Sequence, residues 1–135
     1  MTTVLFACVH NAGRSQMAAA FFNRAADPAR ARAISAGTQP APRAHPEVVE
    51  AMLEVGIDLR NVTPTFLSAE LAASANVLVT MGCGEECPFV AGVRRLDWEL
   101  RDPKGASRDV VRAVRAEIEG RVLDLVRESG WGREA

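Results

Sequence analysis

The stretch Thr3-Val4-Leu5-Phe6-Ala7-Cys8-Val9-His10-Asn11-Ala12-Gly13-Arg14-Ser15-Gln16-Met17 decides how this chain is read. Thr3 to Ala7 is an apolar run with β-branched and aromatic members and no polar alternation, the pattern of a strand buried on both faces. It breaks on Asn11, Gly13 and Ser15, residue types suited to turns and caps, with Ser15 the expected N-cap of a helix. From Gln16 to Ala25 helix formers dominate, until Asp27-Pro28 stops them. The unit is strand, polar loop, helix.

The remaining chain repeats that alternation. Ala31 to Ser35 reads as a second strand, closed by Ala36-Gly37. His45-Pro46 opens a helix with Val48, Val49, Met52 and Leu53 on its apolar face, ended by Gly56. Phe66, Leu67 and Leu71 suggest a short helical segment. Asn76 to Met81 is a further buried strand, and Arg94 to Trp98 a short final one. Ser107 to Arg127 is the longest helix, with Val111, Val114, Ile118, Val122 and Leu125 as its stripe. Strands alternating with helices predict one three-layer α/β/α domain over residues 1–135, built on a four-stranded parallel sheet. Ligands of such folds sit at the carboxyl ends of strands. Both cysteine-bearing loops follow strands, so they are expected to share that edge.

Bulk properties narrow the function. A chain of 135 residues has room for one core, and 48% hydrophobic with 24% charged residues excludes a disordered polymer. A net charge of -1 gives no electrostatic reason to bind nucleic acid or a membrane surface. No run approaches the length of a membrane span, and Met1 to Val9 leads into His10-Asn11 instead of a cleavage site. Three cysteines cannot all pair within one chain, which fits a cytoplasmic protein that uses thiols for chemistry.

The Cys-x5-Arg-Ser loop between strand and helix suits one chemistry. The main-chain N–H groups of Val9, His10, Asn11, Ala12, Gly13 and Arg14 can curl around an anion, and the helix adds its positive end. Arg14 supplies a planar, permanently charged fork able to hold two oxygens. A field of that sign favours a cysteine as its nucleophilic thiolate, which casts Cys8 as nucleophile. Ser15 can donate a hydrogen bond to that sulfur, and Gly13 permits close approach. Asn11 is expected to organise the loop, and His10 to face solvent.

In these residues the chain resembles the low-molecular-weight protein tyrosine phosphatase superfamily, especially its arsenate reductase branch. The resemblance extends through Ser35-Ala36-Gly37, Gly56-Ile57-Asp58, the Val-Thr-Met strand end before Cys83, and Asp97-Trp98 leading to Asp102-Pro103. It implies that Asp102 is the general acid, protonating an oxygen that leaves phosphorus or arsenic. It also implies a thiol relay. Cys8 attacks arsenate, Cys83 attacks Cys8, and Cys87 attacks Cys83 to export a disulfide to thioredoxin. Gln16 after Arg14-Ser15 is reductase-like, whereas phosphatases usually carry proline there. The absence of tyrosine, with Lys104-Gly105 where phosphatases place aromatic residues, removes the walls that would sandwich a substrate ring.

Three intervening residues separate Cys83 from Cys87, fewer than in most thioredoxin-linked relatives. A second route therefore stays open, in which a low-molecular-weight thiol such as mycothiol or bacillithiol, with its redoxin, attacks the Cys8–arsenic adduct. Phosphate-monoester hydrolysis through phospho-Cys8 and non-enzymatic oxyanion binding stay open as well. Phosphate or sulfate can occupy the same loop. No cofactor and no metal are expected: zinc would need two more ligands, and His10 and His45 lack a metal-binding spacing. Asn11, Ser35 and Thr63 resemble part of a potassium site found in some relatives, but Ala19 and Thr65 stand where acidic ligands belong. Asp97 and Trp98 are expected to support the acid loop and the core.

Overall fold

A computed structural model describes residues 1–83 and 87–133; Gly84, Glu85 and Glu86, part of the second cysteine loop, lie outside the described residues. The sheet carries strands β1 (Thr2–Cys8), β2 (Ala31–Gly37), β3 (Val77–Thr80) and β4 (Arg94–Asp97). All neighbours are parallel, in the order β2-β1-β3-β4. The helices are α1 (Arg14–Ala25), α2 (Pro46–Leu53), α3 (Ala69–Ser74) and α4 (Arg108–Glu128). This is the α/β fold with a four-stranded parallel sheet expected from the sequence.

Because β1 and β3 are central, their residues are buried on both faces, which is why they read as unbroken apolar runs. Val4, Phe6 and Cys8 face one core with Val77, Val79 and Met81, under α1, α2 and α4. Leu5, Ala7 and Leu78 face a second, smaller core with Ala36, Leu67 and Ala72. The stripe Val111, Val114, Ile118, Val122 and Leu125 of α4 is buried as its period predicts. Across α2 and α4, Arg112 and Arg115 clamp Glu54, holding its carboxyl down at about 2 through their hydrogen bonds.

Tertiary contacts correct two local expectations. Leu53 ends α2 exposed, because the α2 surface that meets the core is Val48, Ala51 and Met52. Phe66 is not helical: it bridges Gly37 at the end of β2 and is exposed, and α3 starts only after its cap Ser68.

Candidate functional site

Helix α1 begins at Arg14, earlier than its composition suggests, and Gly13 is its N-cap, with no side chain to cap it. Ser68 and Ser107 cap α3 and α4 by accepting from Leu71 and Val110 at 3.0 and 3.4 Å. Ser15 does not cap α1. Its hydroxyl is committed elsewhere, accepting from Asn11 Nδ2 at 2.7 Å and lying 2.8 Å from Cys8 Sγ. With Cys8 as thiolate, that hydroxyl donates to the sulfur. The first turn of α1 contains no acidic residue. Its main-chain N–H groups, which no intrahelical carbonyl can satisfy, therefore face the loop with Arg14 as the local charge.

Asn11 is the loop's keystone. Its φ of 49° lies in the left-handed region, which asparagine enters more readily than most residues. Its side-chain oxygen accepts from the Thr65 main chain at 2.9 Å and from Gln16 Nε2 at 3.2 Å. Gln16 also reaches the Asn11 carbonyl at 3.1 Å, so the residue that stands where phosphatases carry proline holds the loop closed. Gly37 is required for close approach: a Cβ there would meet Asn11 N at 2.7 Å. Gly37, Gln16 and Thr65 all support the loop. Only the Ser35-Ala36-Gly37 and Gln16 signals hint at this in the sequence.

Arg14 is buried. Its Nη1 donates to the Leu100 carbonyl at 3.3 Å and its Nη2 lies 3.6 Å from Asp102 Oδ2. Asp102 is thus brought to the Cys8 loop, with its other oxygen accepting from Lys104 N at 3.0 Å. Two contacts dock this segment: Gly105 N donates to Glu47 at 3.2 Å, and Pro103 packs 3.4 Å from where a Gly13 Cβ would stand. His10 does not face solvent freely. It is half-buried with its ring 5.7 Å from that of His45, the residue before α2. Burial lowers the His45 pKa, and His10 and Lys104 add to that, while Glu47 and Asp102 oppose it. Asp97 bonds Thr80 and Arg95, and Trp98 packs on Phe6 at 5.8 Å, both supporting the sheet end from which the acid segment departs.

Cys83 and Cys87 form a disulfide, leaving Cys8 as the free thiol, and all three are buried. The two cysteine loops do share the carboxyl edge, Ala7 pairing with Thr80. Simple alternation from Val77, Val79 and Met81 would send Cys83 to the Cys8 face of the sheet. Gly82, with φ of 111°, breaks the alternation. Cys83 and Cys87 instead lie in the small core on the opposite face, with Ala7 and Ala36. A cleft of about 770 Å³ borders the disulfide, lined by Cys87, Phe89, Trp98 and Leu100 among others.

Comparison with known proteins agrees along nearly the whole chain. The family model described as low molecular weight phosphotyrosine protein phosphatase matches residues 3–130. A Halobacterium salinarum protein named "Putative arsenate reductase" is 41% identical over 127 residues, 91% of this chain and 89% of the relative. The glutaredoxin arsenate reductase of Synechocystis is 34% identical, covering 93% of this chain and 97% of that one. The solved structure of the Corynebacterium glutamicum thioredoxin-dependent arsenate reductase superposes with a TM-score of 0.81 at 37% identity over 95% of this chain, which spans only 61% of that longer chain. With that model matched over residues 3–130, the chain belongs to the low-molecular-weight phosphotyrosine protein phosphatase family.

Proposed function

We propose that this protein reduces arsenate to arsenite by a thiol relay, as an oxidoreductase coupled to thiol–disulfide exchange. The observation that carries the reading is the combination of a free Cys8, hydrogen-bonded through Ser15 inside an anion loop, with a Cys83–Cys87 disulfide on the adjacent strand end. A phosphatase needs only the first of these. The relatives named as arsenate reductases support the same choice.

Arsenate occupies the loop, its oxygens held by main-chain N–H groups from Val9 to Arg14 and by the Arg14 fork. The Cys8 thiolate attacks arsenic, and Asp102 donates a proton so that an oxygen leaves as water. Cys83, as thiolate, attacks the Cys8 sulfur, and the electron pair of the sulfur–arsenic bond passes to arsenic. Arsenic(V) becomes arsenic(III) and leaves as arsenite, while a Cys8–Cys83 disulfide remains. Cys87 attacks Cys83, frees the Cys8 thiolate, and generates the Cys83–Cys87 disulfide. An external dithiol of the thioredoxin or glutaredoxin type returns the two electrons.

One observation favours a second route to the same product. Cys83 sits on the face of the sheet away from Cys8, so the internal attack requires the segment after Met81 to swing across the edge. A low-molecular-weight thiol that attacks the Cys8 adduct directly needs no such motion. Mass analysis after a single arsenate turnover of the fully reduced protein, without added reductant, separates the two. The relay predicts loss of two protons into a Cys83-linked disulfide together with one equivalent of arsenite. An unchanged Cys83/Cys87 thiol count, with arsenite appearing only on addition of a small thiol, selects the second route.

A further inference from the structure

Gly82 stands between the two reacting loops, directly before Cys83. A Cβ built on it would overlap the Arg14 guanidinium, with Nη1 far inside contact distance, Cζ at 3.2 Å and Nη2 at 3.5 Å. The same Nη1 donates to the Leu100 carbonyl at 3.3 Å, and Nη2 lies 3.6 Å from Asp102 Oδ2. The fork therefore lies against the bare main chain of Gly82 while bonded to the Leu100–Asp102 segment. Arg14 is buried, and a guanidinium displaced from Gly82 has to give up its bond to the Leu100 carbonyl or its pairing with Asp102. Gly92 is the natural contrast: its φ of 85° makes a similar conformational demand, yet nothing lies within 4 Å of its Cβ position.

We propose that Gly82 is a positioning residue for the oxyanion clamp, its side-chain-free surface setting the plane in which Arg14 presents two N–H donors to a tetrahedral oxyanion. The proposal rests on the reading of the Cys8 loop as the oxyanion site. A planar fork grips two oxygens only when its plane is fixed, so a tilt of the guanidinium weakens binding before it disturbs the nucleophile. Cys8 is held independently, through Ser15 and Asn11. The residue that diverts Cys83 to the far face of the sheet thereby also shapes the site that Cys83 serves.

The test uses inorganic phosphate as probe, titrated calorimetrically into the wild type, Gly82→Ala and Gly92→Ala, with steady-state arsenate kinetics alongside. Gly82→Ala should weaken phosphate binding at least tenfold and raise the arsenate KM by a similar factor. Gly92→Ala should leave both within twofold. A double-mutant cycle of urea stability with Arg14→Lys should be non-additive, because lysine lacks the guanidinium atoms that the new methyl meets. Wild-type phosphate affinity in Gly82→Ala, or a fully additive cycle, overturns the proposal. If Gly82→Ala does not fold, the double variant must, and its failure to fold also overturns it. A wild type that binds no phosphate fails earlier, at the oxyanion reading itself.

Discussion

The loop from Cys8 to Ser15 and the residues Gly82, Cys83 and Cys87 follow neighbouring strands at one sheet edge, yet they are built in opposite ways. In the first, Asn11, Ser15 and Gln16 are buried and linked by hydrogen bonds, so that the sulfur, its hydrogen-bond partner and the loop main chain share one bonded frame. In the second, a left-handed glycine breaks the strand period and stows both sulfurs in an apolar pocket on the other face. On the proposed relay, the difference shows how one small sheet serves two kinds of thiol. A nucleophile profits from preorganisation, because donors fixed in advance cost nothing to orient during reaction. A relay thiol has to visit two partners, and fixing it at either one would stop the cycle.

Substitution at the sulfurs should break that contrast most sharply. Cys8→Ser is expected to reduce arsenate-dependent arsenite production to background with every reductant. Cys87→Ser should release one equivalent of arsenite without added thiol and stop at a Cys8–Cys83 disulfide, whereas Cys83→Ser should release arsenite only when a small thiol is added; both should lose turnover with thioredoxin, read by arsenite yield. Equal loss in all three variants with all reductants would show that the loops act as one unit after all. Next in size is the segment that closes over the rigid loop. Asp102→Asn keeps the shape and one acceptor but cannot give a proton, so kcat should fall about 10²- to 10⁴-fold with KM little changed. A change confined to KM would recast Asp102 as only a partner for Arg14.

Asn11→Ala tests whether the first loop is as over-determined as its bonds suggest. The change strips partners from Ser15, Gln16 and the Thr65 main chain, and places a residue less suited to φ of 49°. A loss of about 2–4 kcal/mol in urea-derived stability is expected. Phosphate should restore part of it by binding only the formed loop. A loss well below about 1 kcal/mol would mean that the main chain carries the frame and that Asn11 is replaceable.

Much of this contrast is legible from residues, and what is not has identifiable causes. The unit from β1 through the loop to α1 can be read because a strand buried on both faces, a turn-rich break and a helix-forming run each arise from local chemistry. The same holds for α4, whose stripe fits its buried face. Ser15 reads as a cap because a serine before a helical run favours capping locally, and only the fold brings Cys8 and Asn11 to its hydroxyl. Phe66 reads as helical beside Leu67 and Leu71, yet its place is set by a bridge to Gly37, distant in the chain. The face taken by Cys83 is invisible to a period of two, since one positive φ at Gly82 diverts the chain after it. Gly82 itself carries no motif; its meaning lies in the guanidinium beneath it.

The smallest expected effect sits where the rigid loop meets the acid segment. His45 is half-buried beside His10, with Glu47, Asp102 and Lys104 around it, and burial is the largest reason its pKa is lowered. The folded protein therefore binds a proton at His45 less readily than the unfolded chain does. Stability must then fall as pH drops from above the ordinary histidine value of 6.5 through the lowered folded value, and the loss levels off once both states are protonated. His45→Asn, which keeps a polar neighbour for His10 but cannot charge, should flatten this part of the profile. Urea midpoints measured on either side of the ordinary histidine value would read it, with the wild type losing more between the two than the variant. An identical loss in both would place the acid sensitivity outside His45 and leave the histidine pair a packing feature of the loop's outer wall.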